Sequence, residues 1–190
     1  MSLFENENKS LIKSALNIYE IPSFLDQSQC IDLINYSENK GYARADIQID
    51  KTQRKVVDNI RTNDRVLKID DEMAEALWIK LQSYNLPLFR QRRAIGLSPY
   101  FRYYKYSTGQ KFVLHRDGSQ IVNGHKTLFT LMIYLNQEFE GGVTNFSRVG
   151  LDIKPETGKA LLFDHKLLHQ GCEIISGYKY VLRTDIVFSN

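Results

Sequence analysis

The run TLFTLMIYLN, residues 127–136, decides the fold. It is long and rich in β-branched and aromatic residues, the composition of a strand. Working outward, residues 100–106 form an aromatic-rich stretch, and residues 159–164 and 179–188 are two further β-prone runs. Turn signals separate them at Ser107-Thr108-Gly109, Gly141-Gly142, residues 155–158 and Ser176-Gly177. Before about Leu88 the texture changes to two helix-like stretches. The first opens at Asp26 with Gln29 three residues on, a capping-box pattern, continues through Ile31, Leu33 and Ile34, and can end at Gly41. The second opens near Asp70 or Asp71, places Ala74, Leu77, Trp78 and Leu81 at helical spacing, and is expected to close at Pro87. Helices first and short strands afterwards predict a mainly β (α+β) fold, a β-sandwich or jelly roll with helices on one face. The expected organisation is one domain over 1–190, with 1–97 a mostly helical support region and 98–190 the jelly-roll core.

Composition narrows the function. A chain of 190 residues can bury a sizeable core, and a hydrophobic fraction of 43% is ordinary for a globular protein. A net charge of +3 is too small to argue for nucleic acid, although Arg90, Arg92 and Arg93 make a short cluster with the character of a solvated loop. Cys30 and Cys172 are far apart and outside any CxxC pair, so no disulfide framework is expected. No apolar run reaches the ~20 residues of a membrane span. The first fourteen residues are polar and mixed in charge, unlike a signal peptide. A soluble protein in a reducing cytoplasm is the expectation.

All four histidines, His115, His125, His165 and His169, lie in the strand-rich half. His115 and Asp117 form an H-x-D at the end of a predicted strand, and residues two apart on extended chain point to one side. A third ligand from a distant strand would complete a two-histidine, one-carboxylate face with three open positions, the arrangement suited to non-haem iron(II). His169 and His165 both follow the 159–164 strand and compete for that place. His125 sits in a Gly-containing loop and reads as solvated. Ten residues after His169 comes Lys179, within G-Y-K-Y, and Arg183 follows on the same strand face, about 13 Å away at ~3.3 Å per residue. A cation facing into a barrel is costly without an anion. The alternatives are that Lys179 snorkels to solvent and that Arg183 pairs with Asp185 or Glu173.

The ordered pieces YSTGQKFVLHRD (106–117), TLMIYLN (130–136), EGGVTNF (140–146), PETGKALLF (155–163) and LHQGCEIISGYKY (168–180) resemble the prolyl 4-hydroxylase type of 2-oxoglutarate/iron(II) oxygenase. The resemblance covers 106–190 and implies a double-stranded β-helix. It puts His115, Asp117 and His169 on the metal, which favours His169 over His165. Lys179 falls on the residue that grips the distal carboxylate of 2-oxoglutarate. Tyr106 and Thr130 fall on positions that hydrogen-bond the same carboxylate, with Arg183 as an additional cation for co-substrate or substrate. Read without the resemblance, Tyr106 is a core aromatic and Thr130 an ordinary strand residue. The implied cofactors are Fe(II), 2-oxoglutarate and O2, with ascorbate as a stimulant. The implied chemistry is decarboxylation of 2-oxoglutarate to succinate coupled to hydroxylation, and the carboxylate of Asp117 argues against halogenating relatives.

The expected substrate is a protein or peptide, at proline. The alternatives are a nucleobase, a free amino acid or small metabolite, and an inactive jelly-roll binding module, against which the intact triad speaks. Substrate choice is expected in the loops 118–126 and 48–63, with Arg102, Tyr103 and Tyr104 lining the cleft and Tyr106 at its rim.

Overall fold

A computed structural model describes residues 11–45, 47–48, 54–55 and 62–190. The chain opens with strands β1 (Ile12–Ala15) and β2 (Ile18–Ile21), then helix α1 (Gln27–Lys40). Three two-residue strands follow, β3 (Ala43–Arg44), β4 (Ile47–Gln48) and β5 (Arg54–Lys55), before β6 (Asp64–Ile69), α2 (Asp71–Leu81) and β7 (Ala94–Leu97). The remainder is strands: β8 (Tyr100–Ser107), β9 (Phe112–His115), β10 (Ile121–Val122), β11 (His125–Tyr134) and β12 (Phe139–Gly141). Last come β13 (Thr144–Phe146), β14 (Leu151–Ile153), β15 (Ala160–Asp164), β16 (His169–Gly171) and β17 (Ile174–Phe188).

Both helices start where the sequence places them. At α1 the Asp26 carboxylate accepts from the Gln29 N–H at 2.8 Å, and the Gln29 side chain accepts from the Asp26 N–H at 3.1 Å, which satisfies two donors that a helix start leaves unpaired. Gly41, at φ 76°, caps its end. Its inner face is Cys30 and Ser37, with Leu33 and Ile34 packed beside them, whereas Ile31 points to solvent. Asp70 caps α2 by accepting from Met73 N–H at 2.9 Å. This helix ends at Leu81, well before Pro87. Ser83 and Asn85 follow, residues whose side chains bond the nearby backbone in non-helical turns, and Ser83 Oγ already donates to Lys80 O at 2.8 Å.

Among the described residues, one sheet runs β1-β2-β15-β11-β17-β8-β6-β3, with β10, β12 and β7 attached, and a second runs β14-β13-β16-β9. These are the facing sheets of a jelly roll, the double-stranded β-helix expected from the sequence. The expectation that 1–97 is mostly helical is corrected. β1 and β2 extend one edge of the larger sheet through β15, and β6 extends the other through β8. Each is only four to six residues long and carries charged residues, so its alternation is too brief to register beside two capped helices.

Alternation along the long strands makes two cores. On β11, Phe129, Leu131 and Ile133 face the helices and join Phe24, Leu77 and Leu81. Thr130, Met132 and Tyr134 face the opposite sheet, and Tyr104, Tyr106 and Phe163 of their own sheet enclose the interior with Phe146 of the facing one. Each such large apolar side chain contributes about 1.5–3 kcal/mol by leaving water. β17 continues through the expected Ser176-Gly177 turn. Its first residues pair with β12 and its later ones with β8 and β11, and Gly177, at φ 87°, sits where the pairing changes. Cys30 and Cys172 are both free thiols, and no described helix is long and apolar enough to cross a membrane.

Candidate metal centre

The two imidazoles face each other across adjacent strands of the smaller sheet. β16 pairs antiparallel with β9 so that His169 is opposite His115, with ring centroids 4.3 Å apart. Asp117 leaves the end of β9, and its N–H donates to His165 O at 3.1 Å, which seats the carboxylate beneath both rings. Asp117 Oδ1 lies 3.7 Å from His115 Nε2 and Oδ2 lies 3.7 Å from His169 Nε2. The three potential ligand atoms lie within 4.8 Å of one another.

Each imidazole is oriented by its other nitrogen. His115 Nδ1 is 2.8 Å from Val113 O and His169 Nδ1 is 3.0 Å from Leu167 O. A carbonyl can only accept, so Nδ1 carries the proton and Nε2 presents its lone pair to the shared centre. Burial, with the neighbouring His169, pushes the His115 imidazole down to about 3, and burial also lowers His169. Burial alone would raise the Asp117 carboxyl, but the charge of Arg183, with the two histidines and the Thr130 hydroxyl, outweighs it and holds the group well below the usual carboxylate range. At neutral pH the donors are therefore two neutral imidazoles and one carboxylate, a set that fits a divalent first-row metal. Phe112 stacks on His115 at 3.5 Å, and Phe163 packs against His169 at 4.5 Å, so the walls of the centre are apolar.

The sequence-predicted co-substrate residues separate into two groups along one narrow cavity of about 40 Å³. Lys179 is at the deep end. It is buried, its Nζ donates to Gly142 O at 2.5 Å, and it lies over the rings of Tyr134 and Tyr106 at 5.2 and 5.6 Å. Gly142 lies at φ 66°, and a Cβ there would come within 2.5 Å of Ile174 Cδ1 and 3.3 Å of Lys179 Cδ, so the bare backbone makes room for this lysine. No carboxylate among the described residues makes an ion pair with Lys179, and burial lowers its ammonium to about 7.

Thr130 and Arg183 lie at the metal end. Thr130 Oγ1 donates to Asp117 Oδ2 at 2.5 Å, and Arg183 Nη2 lies 3.0 Å from Asp117 Oδ1 and 3.1 Å from Asp185 Oδ1. The pairing of Arg183 with Asp185 is thus present, together with one to the candidate ligand itself. His165 lies outside the cluster, with Nε2 3.3 Å from Asp185.

Sequence reasoning passed over Tyr134 and Thr144, whose hydroxyls bond each other at 2.7 Å beside Lys179. The period-2 alternation from Thr130 through Met132 would have found Tyr134; Thr144 carried no such signal. Tyr103 does not line the cleft. It packs against Tyr36 on the helix side, because neighbours on a strand point to opposite faces, and only Tyr104 and Tyr106 enter the cavity. Of the proposed substrate loops, 118–126 is described, whereas 49–53 and 56–61 lie outside the described residues.

Residues 101–184 match the family model of the 2OG-Fe(II) oxygenase superfamily. Probable prolyl 4-hydroxylase 3 of Arabidopsis thaliana is 34% identical over 107 residues, which is 40% of this chain and 37% of that protein. The chain therefore matches less than two fifths of the length of this curated relative. The viral collagen prolyl hydroxylase of Paramecium Bursaria Chlorella virus-1, solved as a 2OG complex, superposes with a TM-score of 0.63 at 25% identity, covering 90% of this chain and 96% of the other. A Trichoplax adhaerens prolyl hydroxylase, solved with a hypoxia inducible factor peptide fragment, shares the fold with a TM-score of 0.70 at 15% identity, over 90% of this chain and 83% of that one.

Proposed function

We propose that this chain is a 2OG-Fe(II) oxygenase, the superfamily whose model residues 101–184 match, and that it hydroxylates a protein or peptide substrate, at proline, using iron(II), 2-oxoglutarate and O2. The observation that carries this reading is one cavity with two complementary ends. A two-histidine, one-carboxylate cluster stands at the mouth, and a buried lysine without a carboxylate partner among the described residues stands at the far end. A dicarboxylate that chelates a metal through one end suits both. His115, Asp117 and His169 would hold the iron. Lys179 would bind the distal carboxylate, with Tyr106 alongside.

When bound, the iron and 2-oxoglutarate supply the oxidising power, coupling decarboxylation to insertion of oxygen into a C–H bond. The chain's own work is positional. The carbonyls of Val113 and Leu167 aim the imidazoles, Thr130 and Arg183 orient Asp117, and the aromatic wall of Phe112, Phe146 and Phe163 excludes water. The names of the viral and Trichoplax proteins motivate the prolyl substrate. The small net charge gives a phosphate backbone little to follow.

Proline-rich peptides and methylated oligonucleotides, each added to iron-loaded protein, separate the substrate classes. Succinate release stimulated by peptide, with hydroxyproline found by mass spectrometry, is expected. Stimulation by oligonucleotide alone, with loss of its methyl groups, would replace this reading with a demethylase.

The lysine makes binding of 2-oxoglutarate pH-dependent. With its ammonium lowered to about 7, Lys179 is charged below that pH and loses its proton above it. A bound carboxylate favours the charged form, so binding above neutrality takes up a proton. Affinity should be flat below about pH 6 and fall by up to roughly tenfold per pH unit between about 7 and about 9. Calorimetry in buffers of different ionisation heat reads the proton uptake directly. A flat affinity with no uptake would show that Lys179 stays charged in the free protein.

A further inference from the structure

Arg183 stands between two buried carboxylates. The same Nη2 lies 3.0 Å from Asp117 Oδ1 and 3.1 Å from Asp185 Oδ1, and 3.4 Å from Thr130 Oγ1. Strand pairing sets this up. Arg183 and Asp185 are two apart on β17 and point the same way, and on β11 they stand opposite Met132 and Thr130. Asp185 is completely buried; Arg102 Nη1 holds its other oxygen, Oδ2, at 3.1 Å, and His165 Nε2 lies 3.3 Å from Oδ1, the oxygen that faces Arg183.

The arrangement poses a problem for the metal site. A guanidinium 3.0 Å from Asp117 competes with a divalent cation for one carboxylate charge, and in a water-poor interior that competition is strong. Arg183 and Asp117 alone would form a closed, neutral pair. Asp185 places a second carboxylate on the same nitrogen, so the charge of Arg183 is shared between two acids, and with Arg102 on Asp185 Oδ2 the four groups balance while Asp117 does not face a guanidinium of its own. We propose that Asp185 is a positioning residue of the metal centre: it is the counter-ion that shares Arg183 with Asp117, so that Arg183 orients the ligand without pairing with it alone. This inference rests on the iron site proposed above. Arg102 completes the arrangement from the partly exposed side, where its charge is held on Asp185 Oδ2, away from Asp117.

The test is titration of metal-free full-length protein with Mn(II), with free Mn(II) followed by electron paramagnetic resonance and no co-substrate or turnover involved. Asp185→Asn should bind Mn(II) about 10- to 100-fold more weakly than wild type, the range for losing an outer-sphere partner. The double variant Asp185→Asn/Arg183→Met should recover most of that affinity, because the competing cation is gone. Replacing a buried ion pair by neutral groups of similar size is commonly tolerated, so the double variant is expected to fold even where Asp185→Asn alone does not. In that event the comparison is made in the Arg183→Met background, where adding Asp185→Asn should change Mn(II) affinity far less than tenfold. A loss of tenfold or more in that background, or unchanged affinity in a folded Asp185→Asn single variant, would overturn the proposal. Failure of the wild-type protein to bind Mn(II) would instead overturn the metal site itself.

Discussion

Replacing His169 with alanine is expected to abolish 2-oxoglutarate-dependent succinate release and tight metal binding, whereas replacing His165 should leave one metal bound per chain. The two residues lie four apart on the same segment and compete for one role on sequence alone. The structure separates them by partner. His169 is opposite His115 with its Nδ1 tied to Leu167 O, so its Nε2 reaches the shared centre, whereas the ring of His165 meets Asp185. Removing a first ligand costs more than the ~10- to 100-fold attributed to outer-sphere partners, and removing His165 costs no more than that. Metal content after dialysis, together with succinate release, decides the case. A His169→Ala protein that retains its metal and turns over at near-normal rate would transfer the ligand role to another residue.

Lys179→Ala should raise the KM for 2-oxoglutarate by roughly two orders of magnitude or more while metal affinity stays at the wild-type level. Truncating one side of a buried charge pair costs about 3–5 kcal/mol, and each ~1.4 kcal/mol is tenfold. The penalty is large because nothing replaces the lysine. Its described surroundings are Gly142 O and the rings of Tyr106 and Tyr134, none of which carries positive charge. Arg183 does not stand in for it, since Asp117 and Asp185 already hold its guanidinium at the metal end. Steady-state kinetics with separate metal titrations distinguishes the two ends. A large KM effect in Arg183→Ala and none in Lys179→Ala would reverse the assignment.

The chemistry was easier to read in the sequence than its supports. H-x-D at a strand end, a later strand histidine and a lysine ten residues beyond it are local patterns, and the cavity unites all four side chains. The helix starts were legible because a capping aspartate acts within a turn of its own position. The role of Thr130 was not. A threonine in a strand looks the same whether it meets a co-substrate or a neighbouring carboxylate, and here its partner depends on where the loop after β9 sets Asp117. Assigning both Tyr103 and Tyr104 to the cleft conflicted with alternation, a rule available from the sequence itself. The early strands escaped notice for a different reason. β1, β2 and β6 are strands only because the larger sheet has edges for them to complete, which is information carried by β15 and β8.

The two-sided construction of β11 has an evolutionary corollary. Leu131 and Ile133 hold the helices, while Thr130 and Met132, their immediate neighbours in the chain, line the reactive cavity. Robustness and reactivity are therefore inherited on odd and even positions of a single segment, close in the gene yet separated by the thickness of a sheet. Substitutions at the odd positions are expected to cost stability, whereas one at Met132 alters the cavity lining and one at Thr130 also disturbs Asp117, so one short stretch of coding sequence carries two separate constraints.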